Sequence, residues 1–156
     1  MLGKLARYLR MCGYDTAYAL DRGVEADAAV GDLTRREGRT LLTRDADLAA
    51  RTAGAVLLTE RDVEAQLREL RDVGVSLSLP ETPRRCGRCN GTLERVDAHG
   101  GTPADAPDPA GTPVWRCVEC GQHFWQGSHW DDVRSRLPYR PLQSSQASMS
   151  DMTPPW

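Results

Sequence analysis

Apolar positions recur at helical spacing from the start of the chain. Leu2, Leu5, Ala6 and Leu9 share one face, while Lys4, Arg7 and Arg10 project from the other. Gly13 falls where such a helix ends on a left-handed residue. A short strand is predicted over Thr16 to Ala19. Asp27 then opens a second helix, with Ala26, Ala29, Val30 and Leu33 as its apolar side and Gly38 as its close. The run Thr40-Leu41-Leu42-Thr43 reads as a buried strand that stops at Arg44-Asp45. A short helix over Ala46 to Arg51, a strand over Ala55 to Leu58 and a helix from about Asp62 to Asp72 complete the series. Strands alternating with helices of about ten residues predict an α/β domain over residues 1–80, a parallel sheet with helices on both faces. Such a domain ordinarily begins with a central strand, whereas here a helix begins at once.

The pattern changes after Pro80. Pro80, Pro83, Arg84 and Arg85 lie in a linker, and beyond it two C-x-x-C pairs, Cys86/Cys89 and Cys117/Cys120, predict a treble-clef or ribbon-type module spanning residues 84–138. Each pair is followed closely by glycine (Gly91 and Gly121), which permits a tight turn beneath a metal. Between the pairs, strands are predicted over Thr92 to Val96 and Pro113 to Arg116. The stretch 97–113 joins them, with three Gly, four Pro, three Asp and almost nothing apolar, the composition of a flexible loop. Ser128 can cap a last helix reaching Leu137, with Asp131 near the positive end of its dipole. Residues 139–156 are Ser, Gln and Pro rich and read as a disordered tail.

Four thiolates complete a tetrahedral sphere, so the ion at Cys86, Cys89, Cys117 and Cys120 is expected to be Zn2+ in a structural role; an iron–sulfur cluster is the chemical alternative. With the sphere closed, His99, His123 and His129 are not needed as ligands. His129 and Trp130, in Trp125-Gln-Gly-Ser-His-Trp130, are instead candidates for stacking on bases, against the simpler role of covering a core poor in aromatics. Cys12 stands alone in an apolar stretch and reads as a small buried hydrophobe.

Composition adds limits. The 156 residues suffice for one compact domain and a small module, and no apolar run nears the roughly 18 to 20 residues of a membrane span. Arg7 and Arg10 interrupt any signal-type apolar segment, so a cytoplasmic protein is expected. The net charge of −2 gives no global pull toward nucleic acid, but Lys4 is the only lysine among 20 basic residues. Arginine is the better phosphate clamp, although such richness equally follows from genomic base composition.

In a parallel sheet the C-terminal strand ends and adjoining helix N-termini form the usual site crevice. Asp45 follows the predicted strand Thr40 to Thr43 directly, and Asp47 is two residues on. Asp27 and Asp62 begin helices, positions expected to face the same edge. Carboxylates meeting there would suit Mg2+ or Mn2+, which can activate water against a phosphodiester. The competing reading of each acid is an ordinary N-cap. Lys4, Arg7, Arg10 and Arg44 would contact phosphate if the substrate is nucleic acid, or simply form a solvated face.

Several strings together resemble a known family. They are Met1-Leu-Gly-Lys-Leu-Ala-Arg-Tyr-Leu-Arg10, Gly13-Tyr-Asp-Thr16, Glu37-Gly-Arg-Thr-Leu-Leu-Thr-Arg-Asp45, Gln66-Leu-Arg, Arg85-Cys-Gly-Arg-Cys-Asn-Gly-Thr-Leu93, Cys117 to Cys120 and Trp125 to Trp130. In this order they resemble the Mut-seven C-terminal RNase domain, a PIN-like ribonuclease family, up to about Leu137. The resemblance implies a PIN-type fold fused to a zinc ribbon and metal-dependent cleavage of RNA, with Asp45 and Asp27 as metal-binding acids and Asp47 and Asp62 as further candidates. That family's pattern places a strand ending in an Asp, its first metal ligand, ahead of the Met-Leu-Gly-Lys-Leu-Ala-Arg string. The expectation is a natural chain that starts further upstream; the alternative is a protein that has lost this ligand. Beside the nuclease stand two other readings, a non-catalytic RNA-binding zinc ribbon and a protein-interaction scaffold.

Overall fold

A computed structural model describes residues 2–138; the predicted tail at 139–156 lies outside the described residues. The chain is mixed α/β and divides into two compact units. One contains residues 3–17 together with 78–137, and the other residues 18–77. This grouping differs from a linear division near residue 80, because the first helix belongs with the cysteine module.

In the first unit, α1 (Gly3–Met11) buries Leu5, Ala6 and Leu9 of the predicted face and also Arg10 and Met11, which lie outside it, while Leu2 is half-buried. It ends as anticipated. Gly13 is left-handed at φ 93°, its amide donates to Arg10 O (2.9 Å), and the Tyr14 amide reaches Leu9 O (3.0 Å). After Pro80 the unit forms a three-stranded antiparallel sheet in the order β3–β4–β5, from Leu93–Arg95, Val114–Cys117 and His123–Trp125. Leu93 pairs with Cys117 and Val114 with Trp125. Cys86, Leu93, Trp115 and Cys117 are its buried cluster, with Cys89 and Phe124 against it. The stretch 97–113 runs as successive turns, closed by Gly100 N to Asp97 O, Ala106 N to Pro103 O and Gly111 N to Asp108 O. Helix α5 (Ser128–Arg136) starts one residue earlier than a Ser128 cap would require: Gly127 is the N-cap and Ser128 makes no capping bond.

In the second unit, β1 (Leu42–Thr43) and β2 (Val56–Leu57) pair in parallel, with Leu42 opposite Val56 and Thr43 opposite Leu57. Helix α3 (Ala46–Arg51) connects them, making a compact β–α–β unit. Helix α2 (Asp27–Glu37) precedes it and α4 (Val63–Asp72) follows. Leu41, Leu48, Leu58, Leu67, Leu70, Val75 and Leu77 are the unit's buried apolar residues.

The strand expected over Thr16 to Ala19 does not form, so the parallel sheet has two strands among the described residues. The reason is local. The Thr16 amide donates to Asn90 Oδ1 (2.9 Å) and its carbonyl accepts from Arg10 Nε (2.8 Å), which uses the backbone groups a ladder would need. Ala19–Arg22 then tightens into a 3-10 helix closed by left-handed Gly23.

Helix α4 also fixes the loop that follows β2. Buried Gln66 donates through Nε2 to Glu60 O (2.9 Å). One turn on, Glu69 accepts from the Thr59 amide (2.9 Å), the Thr59 hydroxyl (2.5 Å) and the Glu60 amide (3.3 Å). Burial pushes the Glu69 carboxyl up, but these hydrogen bonds and the charge of Arg44 outweigh it and hold its pKa below the usual 4.5. A lowered folded-state pKa stabilises above the unfolded value and is lost as pH falls through the folded one. Glu69→Ala should therefore cost on the order of 1 kcal/mol at pH 7, a modest figure because the carboxylate remains solvent-accessible. Denaturant melts at several pH values should show the difference from wild type shrinking below about pH 4.

Candidate metal centre and nucleic-acid surface

The four cysteines sit on two closely similar knuckles. In the first, the Cys86 amide donates to Gly91 O (2.8 Å) and the Asn90 amide to Cys86 O (2.9 Å). In the second, the Cys117 amide donates to Gln122 O (2.9 Å) and the Gly121 amide to Cys117 O (3.0 Å). Asn90 and Gly121 therefore occupy equivalent places, and both are left-handed, at φ 70° and 73°. The sequence assigns this turn in the first knuckle to Gly91, but Asn90 makes it. Gly91 is glycine for room: a Cβ there would lie 2.7 Å from Cys117 Sγ.

All four sulfurs lie within 4.8 Å of one another, with Cys86 Sγ to Cys120 Sγ at 3.6 Å and Cys89 Sγ to Cys117 Sγ at 3.5 Å. A tetrahedron with Zn–S bonds of about 2.3 Å has edges of about 3.8 Å, so the group fits one zinc ion. Amides already point at the sulfurs: Gly91 N lies 3.4 Å from Cys89 Sγ and Cys120 N 3.5 Å from Cys117 Sγ. Burial pushes the Cys86 and Cys89 thiols up, whereas Cys120 is lowered, because hydrogen bonds from the Gln122 amide and the other thiols outweigh its burial. A cation that replaces the protons removes the cost of burying Cys86 as a thiolate.

Arg10, read from sequence as a phosphate contact, is found elsewhere. It is 4% exposed and donates from Nη1 to Gly87 O (3.3 Å) and Arg88 O (3.1 Å). The Arg88 and Cys89 amides, on the far sides of these same two peptide units, favour the Cys86 thiolate, although burial outweighs them. Two consecutive peptide groups are thus aligned between the guanidinium and the sulfur, carbonyls toward the cation and N–H toward the anion. Asn90 supplies a second link to residues 15–16. Its Nδ2 donates to Asp15 Oδ1 (2.7 Å) while its Oδ1 receives the Thr16 amide, and Asp15 Oδ2 lies 3.8 Å from Arg85 Nη2. No signal short of the structure identifies Arg10, Asp15 and Asn90 as one set, because the helix and the knuckle are more than seventy residues apart in sequence.

The acids are placed less simply. Asp45 caps α3 by accepting from Leu48 N through Oδ1 (2.8 Å), and Asp62 caps α4 by accepting from Glu64 N and Ala65 N through Oδ2 (3.0 and 3.1 Å). In each case the other carboxylate oxygen makes no hydrogen bond to a described residue. Both acids follow the C-terminal ends of paired parallel strands. Asp27 instead lies 3.7 Å from Arg51 Nη2, and Arg51 Nε donates to Asp47 O (3.1 Å). Among the described residues, the four cysteines are the only set of three or more potential ligands close enough for one ion; Asp27, Asp45, Asp47 and Asp62 do not converge in this way. Lys4, Arg7 and Arg44 are exposed, as is His129. Trp130 is 5% exposed, which makes it a core residue rather than a stacking platform, although its Nε1 and the Nε2 of His123 are buried without a hydrogen-bond partner among the described residues.

A parallel β–α–β unit and a three-stranded module with four cysteines close enough to hold one metal ion define a mixed α/β protein. The model of the Mut7-C RNAse domain family matches residues 1–137, and the chain belongs to that family. No curated protein and no solved structure matches. No helix among the described residues is long and apolar enough to cross a membrane.

Two substitutions separate the roles within the first knuckle. Gly91→Ala should lower zinc affinity, because its Cβ displaces Cys117 Sγ; chelator competition followed by absorbance measures this. Asn90→Gly keeps the left-handed turn and should retain one zinc per chain. It should nonetheless lose about 1 to 2 kcal/mol of stability with the Asp15 and Thr16 bonds, and hydrogen exchange should rise at Thr16 while the cluster stays intact.

Proposed function

We propose that this chain is a ribonuclease that hydrolyses RNA phosphodiester bonds at the C-terminal edge of its parallel sheet, with zinc held by the four cysteines as a structural ion. Membership of an RNase-domain family over residues 1–137 carries the reading. The placement of Asp45 and Asp62 after the two parallel strands supports it, since each commits one carboxylate oxygen to a helix cap and leaves the second without a hydrogen bond to a described residue. The described carboxylates are not a ready-made cage for Mg2+ or Mn2+, and no step is assigned to such an ion. Mg2+ commonly takes one or two carboxylates and fills the rest of its sphere with water and substrate phosphate. Exposed Arg44, adjacent to Asp45, is placed to neutralise a phosphate arriving at that edge.

Zinc has no part in the cleavage under this reading. Four thiolates leave it no open position, so its contribution is to fold the module.

The non-convergence of Asp27, Asp45, Asp47 and Asp62 favours a second reading, an RNA-binding protein without catalysis. One substitution separates them. Asparagine caps helices as well as aspartate does, so Asp45→Asn should melt within about 1 kcal/mol of wild type. Cleavage of end-labelled RNA with Mn2+ or Mg2+ should nonetheless fall on the order of a hundredfold or more. Equal cleavage by wild type and variant would remove Asp45 from the chemistry. RNA bound but uncut by the wild-type protein with either ion would establish the second reading.

A further inference from the structure

We propose that α1 and the first cysteine knuckle together form a surface that grips the phosphates of single-stranded RNA, built from Lys4, Arg7, Arg84 and Arg88. The inference rests on the reading of the chain as a protein that acts on RNA, and it places the grip in the cysteine-containing unit rather than beside Asp45. Lys4 and Arg7 are three residues apart on α1 and so share a face. The Arg7 stem lies against the knuckle, with its Cγ 3.4 Å and its Nε 3.8 Å from where a Cβ at Gly87 would stand. A Cβ at residue 87 would stand in ordinary van der Waals contact with Arg7, so the Arg7 stem packs against the residue next to Arg88 in the chain. Arg84 stands two residues before Cys86 on the same segment.

All four side chains are exposed, and none forms an ion pair with a described residue. The neighbouring acid Asp15 is already committed to Asn90 and Arg85, so it does not neutralise them. Glu119 is the other nearby carboxylate, and it packs at Gly91. A structural demand for these cations is weak. The −2 formal charge of a zinc tetrathiolate is met at short range by the knuckle amides and by the aligned peptides that Arg10 anchors, while Lys4 and Arg7 sit on the helix. Four unpaired cations, three of them arginine, suit a regularly spaced polyanion that arginine can bind bidentately. An acidic protein segment has the same sign of charge but offers no such repeat.

The test is binding of a short fluorescein-labelled single-stranded RNA of mixed sequence, followed by anisotropy in buffer without Mg2+ or Mn2+ so that no turnover is needed. Full-length wild type should show a slope of log affinity against log salt of roughly −3, as four phosphate contacts at about 0.7 each require. Arg7→Gln with Arg88→Gln should weaken binding about tenfold or more and make the slope shallower by about 1 to 1.5, with zinc content unchanged. Lys4→Gln with Arg84→Gln, which leaves the Arg7–Gly87 contact intact, should do the same. Binding and slope unchanged in both double variants would overturn the proposal, as would tight binding of poly-glutamate in place of RNA. Cleavage is read separately: RNA bound with the predicted slopes but never cut would defeat the nuclease reading and leave this surface standing.

Discussion

Four sulfurs held within 4.8 Å of one another cannot all be thiolates without a cation, nor can they be buried cheaply as thiols once the surrounding amides point at them. This constraint organises the larger unit. To aim the Arg88 and Cys89 amides at Cys86, the knuckle must turn the Gly87 and Arg88 carbonyls outward, and outward-facing carbonyls inside a protein need donors. Arg10 is that donor. Its guanidinium is buried, yet its charge is balanced through two peptide dipoles by the sulfur they serve. A buried arginine with no such counterpart would be costly. Here the metal site and the helix each supply what the other lacks.

Helix α1 therefore belongs with the antiparallel module although its sequence leads into the parallel one. The short segment after it is shaped by the same docking, because the Asn90 side chain and Arg10 take up both backbone groups of Thr16. Asparagine at the left-handed position of the first knuckle, where the second knuckle uses glycine, follows from this. Glycine would satisfy φ, but only a side chain can reach Asp15 and Thr16. The parallel unit solves its own ends by a different device. Asp45, Asp62, Gln66 and Glu69 bind the free amides and carbonyls that begin its helices and follow its second strand.

Much of this was legible from residues alone. The four cysteines come together as their spacing predicts, a group able to hold one ion, and helices α1 to α4 lie within a residue or two of their predicted bounds, although α2 buries only Thr34 and leaves Ala26 and Ala29 of its predicted apolar side exposed. What escaped reading depends on partners distant in sequence. Arg10 looks like a member of a basic face, and nothing local says that its charge is consumed by carbonyls at Gly87 and Arg88. Thr16 to Ala19 has strand composition, but the hydrogen bonds that cancel the strand come from residues 10 and 90. Trp130 presents the same letters whether it stacks on a base or closes a core. Strand β5 was missed because His123–Trp125 is too short for alternation to show, and it exists by pairing with β4.

The acids illustrate how a cap and a catalytic group can be one residue. An N-cap carboxylate uses one oxygen toward helix amides. The second oxygen is then held in a defined direction by a rigid element rather than by a flexible side chain. A carboxylate so placed after a parallel strand is preorganised at little further entropic cost, which is what a phosphodiesterase site requires of its oxygen donors. Asp45 and Asp62 meet this description, and Asp27, facing a guanidinium, does not. If the proposed chemistry is right, any divalent ion must complete its sphere from the substrate. Affinity for RNA would then have to come first, from cations elsewhere on the chain. The exposed cations proposed as a phosphate-gripping surface on α1 and the first knuckle would be one source of that affinity.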